Sequence, residues 1–147
     1  GYGHPDHIAV HRRAVRAFHA AADPGYHPEL GAPWQTSRLF YSAIPRSFFI
    51  EMRRQMEELG IDTRDLDSFG DGAQRWPDEK IHLILDVSST VDDKWQALNC
   101  HRTQFGPNNL FRRLPADRVK QLMSHEYFVL AWPEPQPEQK LEGLFQD

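Results

Sequence analysis

Apolar and polar positions alternate along this chain with two periods, and the changes of period mark its elements. From Ile8 onward, Ile8, His11, Val15, Phe18 and Ala22 recur at helical spacing on one stripe, with Arg12, Arg13, Arg16 and His19 mostly on other faces. The pattern predicts an amphipathic helix packed on a core from about Asp6 to Ala22, closed by Asp23-Pro24-Gly25. Residues 26–33 read as a surface loop pinned by Tyr26 and Trp34. Ser37 to Ala43 reads as a strand buried on both faces. Pro45-Arg46-Ser47 opens a second helix with Phe48, Met52, Met56 and Leu59 inward and Gly60 as its stop. Residues 61–80 are polar and acidic, a solvated loop whose aspartates lack calcium-loop offsets.

Ile81, Leu83, Leu85 and Val87 then alternate as one face of a strand. Thr90 and Asp93 have capping-box spacing for a helix to about Arg102, with Val91, Trp95 and Leu98 as its stripe. Phe105 to Asn109 is a turn, and Leu110 to Leu114 carries Arg112 and Arg113, which together with Arg46 are candidate anion contacts or plain surface arginines. A short helix follows from Pro115 to about Ser124 with Val119, Leu122 and Met123 inward, then a last strand from Tyr127 to Trp132. Beyond it, Pro133, Pro135 and Pro137 alternate with Glu and Gln, a composition that predicts a disordered or extended tail.

This alternation of strands and helices predicts an α/β layer fold, part of a Rossmann-like sheet with some antiparallel edge strands and hence mixed. Residues 1–132 form one domain portion and 133–147 the Pro/Glu-rich tail. No internal repeat is visible. With 147 residues and a formal charge of -4, nothing favours nucleic acid or an anionic membrane as partner. One cysteine, Cys100, excludes an internal disulfide and suits a reducing, cytoplasmic setting; its place inside a helix predicts a buried structural thiol. No apolar run reaches the ~20 residues of a membrane span.

The densest chemistry is at the start, where Gly1-Tyr2-Gly3-His4-Pro5-Asp6-His7-Ile8-Ala9-Val10-His11 packs three histidines and a carboxylate between His4 and His11. Imidazoles four apart on a helix face one way, and a carboxylate beside them orients a ring or takes a proton. The same pattern also fits a plain helix start, with Asp6 as a cap, exposed histidines, and His11 satisfied within the apolar stripe.

Tyr2-Gly3-His4-Pro5-Asp6-His7 ahead of an amphipathic helix resembles the second signature of the PIG-L/LmbE-like family of zinc-dependent N-acetylglucosaminyl deacetylases, which includes mycothiol-type deacetylases and amidases. The stretch from Lys94 to Gln104, with Ala97 and His101-Arg102-Thr103-Gln104, is similar to a late helix of that family, and the last strand resembles its Glu-x-Phe strand. The resemblance implies zinc as cofactor, His7 as a metal ligand, His4 as the acid that stabilises the oxyanion and protonates the leaving amine, Asp6 as its orienting partner and Tyr2 as a contributor to the oxyanion site. It suggests His101 and Gln104, projecting together at a helix end, as substrate-side residues or a structural cap. The implied partner is a small-molecule amino-sugar conjugate. The family's first signature, His-Pro-Asp-Asp-Glu, is absent, and Asp92-Asp93 after Thr90-Val91 cannot replace it. A zinc site needs about four ligands, or three plus water. The expectation is therefore the C-terminal part of a longer enzyme, inactive alone. A noncatalytic sugar- or anion-binding relative and another metallohydrolase such as a phosphoesterase stand as alternatives.

Overall fold

A computed structural model of the chain describes residues 4–68, 75–107 and 109–145, with Asp67 and Ser68 described in backbone alone. Strands β1 (Leu39–Ala43), β2 (Leu83–Asp86) and β3 (His125–Trp132) form a sheet ordered β1-β3-β2, surrounded by helices α1 (Pro5–Ala21), α2 (Arg46–Glu58), α3 (Arg64–Ser68), α4 (Val91–Cys100) and α5 (Ala116–Leu122). The α/β class holds. Both pairings to β3 are antiparallel, so the mixed sheet is not found among the described strands; parallel pairing is limited to isolated bridges, Pro45 with Trp76 and Leu83 with Leu141.

The position of β3 explains its burial. Neighbouring residues of a strand point to opposite faces, and Val129 and Leu130 are both buried, so both faces of the sheet are covered there. On the edge strands cover is incomplete. Ser42 is exposed on β1, which is therefore not buried on both faces as expected, and Ile84 is exposed on β2.

The main core lies among helices. Phe49, Met52 and Met56 of α2 meet Val119 and Leu122 of α5, Met123, and Leu66, Leu110 and Leu114, with Val91, Trp95 and Leu98 of α4 packed against them. Met52, Met56 and Val119 are fully buried, and each side chain of that kind contributes roughly 1.5–3 kcal/mol by leaving water. Gly60 ends α2 at φ +66°, a left-handed conformation that glycine adopts without a Cβ penalty. A smaller cluster joins Ala43, Ile81 and Val129 to Tyr41, Trp76 and Tyr127. Lys94 ties α4 to β3, its Nζ donating to the Met123 carbonyl at 2.9 Å and pairing with Glu126 at 2.6 Å.

Three further expectations fail. The segment 61–80 is not all solvated loop: it contains α3, whose Leu66 is buried in the helical core. Thr90 makes no capping-box bond; its hydroxyl donates backward to the Val87 carbonyl at 3.2 Å, because residues 88–90 already turn as a 3-10 helix. Cys100 is exposed, since it lies away from the Val91-Trp95-Leu98 stripe. The tail, expected to be disordered or extended, is ordered over its described residues and packs against the sheet, with Leu141 in an isolated parallel bridge to Leu83. Leu141 N–H donates to the His82 carbonyl at 2.7 Å, Lys140 Nζ to the Ile81 carbonyl at 2.5 Å, and Arg38 to the Leu144 carbonyl at 3.1 Å. The outer edge of β2 offers unpaired backbone, and a polar tail satisfies it by hydrogen bonds rather than by apolar area. Among the described residues no helix is long and apolar enough to cross a membrane.

Candidate active site

Helix α1 begins at His4. Its φ of -63° and ψ of 131° are extended, its carbonyl accepts the first helical bond from Ile8 N–H at 3.1 Å, and Pro5 occupies the first turn, where a missing N–H costs nothing. The cap is His4 itself, not Asp6: Nδ1 of His4 accepts from the Asp6 N–H at 3.2 Å. A nitrogen that accepts carries no proton, so neutral His4 holds its proton on Nε2, the nitrogen away from the helix. The Asp6 carboxylate stands 3.9 Å from Nδ1. One turn on, His7 brings its ring to 5.4 Å from that of His4, centroid to centroid, at 60°. All three side chains are exposed at the positive end of the helix dipole, which favours negative charge.

His11 takes no part in this group. Its ring is exposed and meets Tyr41 of β1 edge-on at 5.0 Å. His19 meets Trp132 of β3 in the same way at 5.8 Å. These ring contacts seat α1 on the sheet, yet none of its residues is buried, so the helix is less packed than its stripe predicts.

Tyr2 lies outside the described residues. His101 and Gln104 do not share a helix face: α4 ends at Cys100, His101 takes φ -81° and ψ 59°, and its carbonyl accepts from Gln104 N–H at 3.1 Å and Phe105 N–H at 2.7 Å. Both are exposed on a turn that His101 organises through its backbone. Arg112 bonds Asn99 and lies over the Phe105 ring at 5.2 Å, while Arg113 pairs with Asp65 at 2.9 Å and donates to the Asp62 carbonyl, so these arginines join elements of the fold. Asp62 is in turn held down to about 2 by hydrogen bonds from Arg64.

Two buried polar residues, Gln55 on α2 and His82, escape the sequence pattern. His82 is 8% exposed, and its Nδ1 accepts from the Leu130 N–H at 3.1 Å. Burial, then Lys140 and Lys80, lower its pKa below the ordinary 6.5. The signal was a histidine between Ile81 and Leu83 in an apolar run; taking only one face of that strand as buried hid it.

Two imidazoles and a carboxylate are the donor types a zinc-like ion takes, so the chemistry of His4, Asp6 and His7 fits such an ion in part. Among the described residues no group of three or more His, Cys, Asp or Glu side chains converges to hold a metal.

Comparison with known proteins finds enzymes named 1D-myo-inositol 2-acetamido-2-deoxy-alpha-D-glucopyranoside deacetylase. That of Geodermatophilus obscurus is 34% identical over 132 residues, covering 88% of this chain and 45% of the relative. One from Catenulispora acidiphila is 32% identical over 133 residues, covering 88% and 41%. That of Streptomyces scabiei is 33% identical over 135 residues, covering 88% and 42%. The chain thus spans less than half the length of these curated relatives. No family model and no solved structure matches it.

Proposed function

Over the span it shares with these relatives the chain belongs to the PIG-L/LmbE-like deacetylase family, and on that premise we propose that it carries the His4-Pro5-Asp6-His7 part of a zinc-dependent active site that removes acetyl from an N-acetylglucosamine-type amino sugar or its conjugate. The observation that best supports the reading is the juxtaposition at the start of α1, where His4 Nδ1 accepts from the Asp6 N–H at 3.2 Å and the His7 ring stands 5.4 Å from that of His4. Residues 1–132 would be the C-terminal portion of a Rossmann-like layered domain, acting in the cytoplasm on a small molecule.

His7 would be a ligand of the metal. When bound, zinc supplies Lewis-acid polarisation of a carbonyl and a lower pKa for water. The remaining chemistry falls to the chain. As the amide carbonyl becomes tetrahedral, negative charge grows on its oxygen, and a fixed N–H donor such as His4 Nε2–H is stronger there than on the neutral substrate. Collapse of that species expels an amine, a poor leaving group until protonated; His4, once it has taken up the proton released by the attacking water, would deliver one from Nε2 and return to its neutral form. A protonated ring can no longer accept the Asp6 N–H at Nδ1. The Asp6 carboxylate, 3.9 Å from Nδ1, would have to draw closer to accept a hydrogen bond from the Nδ1–H of the protonated ring, and in that way would keep the ring oriented. The general base and further ligands belong to the His-Pro-Asp-Asp-Glu signature that this sequence lacks, so the chain alone is expected to be inactive.

The test is acetate release from 1D-myo-inositol 2-acetamido-2-deoxy-α-D-glucopyranoside by the complete protein that contains this chain. Hydrolysis that a chelator abolishes and zinc restores supports the reading. Cleavage of 4-nitrophenyl phosphate with the acetamide untouched, or chelator-independent sugar binding without hydrolysis, overturns it in favour of a phosphoesterase or a noncatalytic module.

A further inference from the structure

The far end of α1 borders a cleft of about 740 Å³, closed on its other side by the loop from Asp23 to Trp34. At ~1.5 Å of rise per residue, Arg16 lies about 14 Å along the helix axis from His7, so this cleft is separate from the His4 group. Arg13, Arg16, Ala17 and Ala20 follow the i, i+3, i+4, i+7 pattern and form its helical wall, guanidiniums on an alanine floor.

The opposite wall is preformed. Trp34 N–H donates to the Ala21 carbonyl at 2.7 Å, Tyr26 N–H to that of Asp23 at 3.1 Å, and Leu30 N–H to that of His27 at 2.9 Å. Backbone bonds therefore pin this loop, not the rings of Tyr26 and Trp34. Those rings are instead 52% and 74% exposed, which leaves their faces available. His27 holds a left-handed φ of 54°, fixed by its 2.9 Å bond to Glu29 and an edge contact with Tyr26.

The charges select the ligand. Among the described residues neither Arg13 nor Arg16 has an ion-pair or hydrogen-bond partner, so both can meet an anion bidentately. Asp23 also lines the cleft, with one carboxylate oxygen accepting from Gly25 N–H at 2.8 Å and the other available to accept. A bare polyanion would be repelled by that carboxylate, and an apolar ligand would leave the guanidiniums unused. A ring of hydroxyls both donates and accepts, and its C–H face stacks on an aromatic ring. We propose that the cleft between the distal half of α1 and the 23–34 loop binds an anionic sugar, a pyranose carrying a phosphate or carboxylate, with Arg13 and Arg16 on the anion, Asp23 on a hydroxyl and Trp34 or Tyr26 against the ring.

Isothermal calorimetry of the complete protein that contains this chain with glucose 6-phosphate, glucose, inorganic phosphate and AMP tests this. Glucose 6-phosphate should bind with a Kd of about 1 mM or tighter, and glucose and phosphate should each bind at least about tenfold more weakly. The doubly substituted Arg13→Gln, Arg16→Gln protein and Trp34→Ala should each lose about tenfold or more while melting as the wild type does; His4→Ala should bind unchanged. Absence of saturable heat with glucose 6-phosphate, phosphate binding as tightly as the sugar phosphate, AMP binding more tightly, or binding lost in His4→Ala but kept in the double variant would each overturn the assignment.

Discussion

Helices α1 and α2 read alike as sequence and differ as structure. Each presents an apolar stripe at helical spacing, but α2 buries Phe49, Met52, Gln55 and Met56, whereas α1 buries nothing. Phe49, Met52 and Met56 of α2 enter the middle of the helical core, whereas Leu59, expected inward, lies past the end of the helix and is exposed. The stripe of α1 meets the sheet through part-covered Val15 and Phe18 and through ring contacts of His11 and His19. Periodicity thus identifies which face of a helix turns inward, and says little about how much covers it. The difference also separates two jobs. The α2 core holds the fold, and α1 carries exposed imidazoles at one end and, at the other, guanidiniums without a partner among the described residues.

Substitutions sharpen the contrast. The largest effect should come from Met56→Ala, which opens a cavity among fully buried neighbours and should cost about 2–5 kcal/mol in urea unfolding; a loss below about 1 kcal/mol would mean that the helical core does not carry the fold. Next is His82→Ala, which leaves the buried Leu130 N–H without its acceptor and should cost about 1–3 kcal/mol. His82 also sets a pH dependence. Its folded pKa is lowered by burial, Lys140 and Lys80 beneath the unfolded 6.5, so the unfolded chain takes a proton that the folded one resists. Stability is then complete above about 6.5 and declines as pH falls from there toward the lowered folded value. His82→Gln should flatten that part of the curve, and the protection factor of the Leu141 amide, bonded to the His82 carbonyl, should fall in the wild type over the same range.

Smaller effects belong to α1. His4→Ala removes the cap and should weaken the first turn by about 1 kcal/mol, seen as faster exchange at Asp6 with little change in global melting. Val10→Ala, at a 69% exposed position, should stay within about 0.5 kcal/mol. A large loss there would show that α1 is packed as deeply as α2.

Much of the fold was legible where a local rule met no competitor. Pro5 at the first turn of α1, Gly60 after α2, and Val119 and Leu122 on α5 with Met123 at its end each behave as spacing and propensity require. Legibility failed where a distant partner decided. Phe49 turns inward beside Phe48 and lies under the Arg75 guanidinium at 4.4 Å, a contact that no local pattern contains. Leu66 is buried because the core reaches across a polar segment, and the tail is ordered because the edge of β2 accepts it. In the site, the motif picked out His4, Asp6 and His7. It did not reveal that Nδ1 of His4 caps the helix, which follows from the backbone turn at Pro5. The pairing of His101 with Gln104 assumed a helix that stops at Cys100.

The central claim separates His4 from His7, acid from ligand. Its most direct measurement is zinc content and deacetylation rate together, in the complete protein and in its His4→Ala and His7→Ala variants. The account predicts that His4→Ala keeps its zinc and slows turnover by about 10²–10⁴-fold, while His7→Ala loses zinc and activity alike. Zinc lost with His4, or full turnover in either variant, would contradict it.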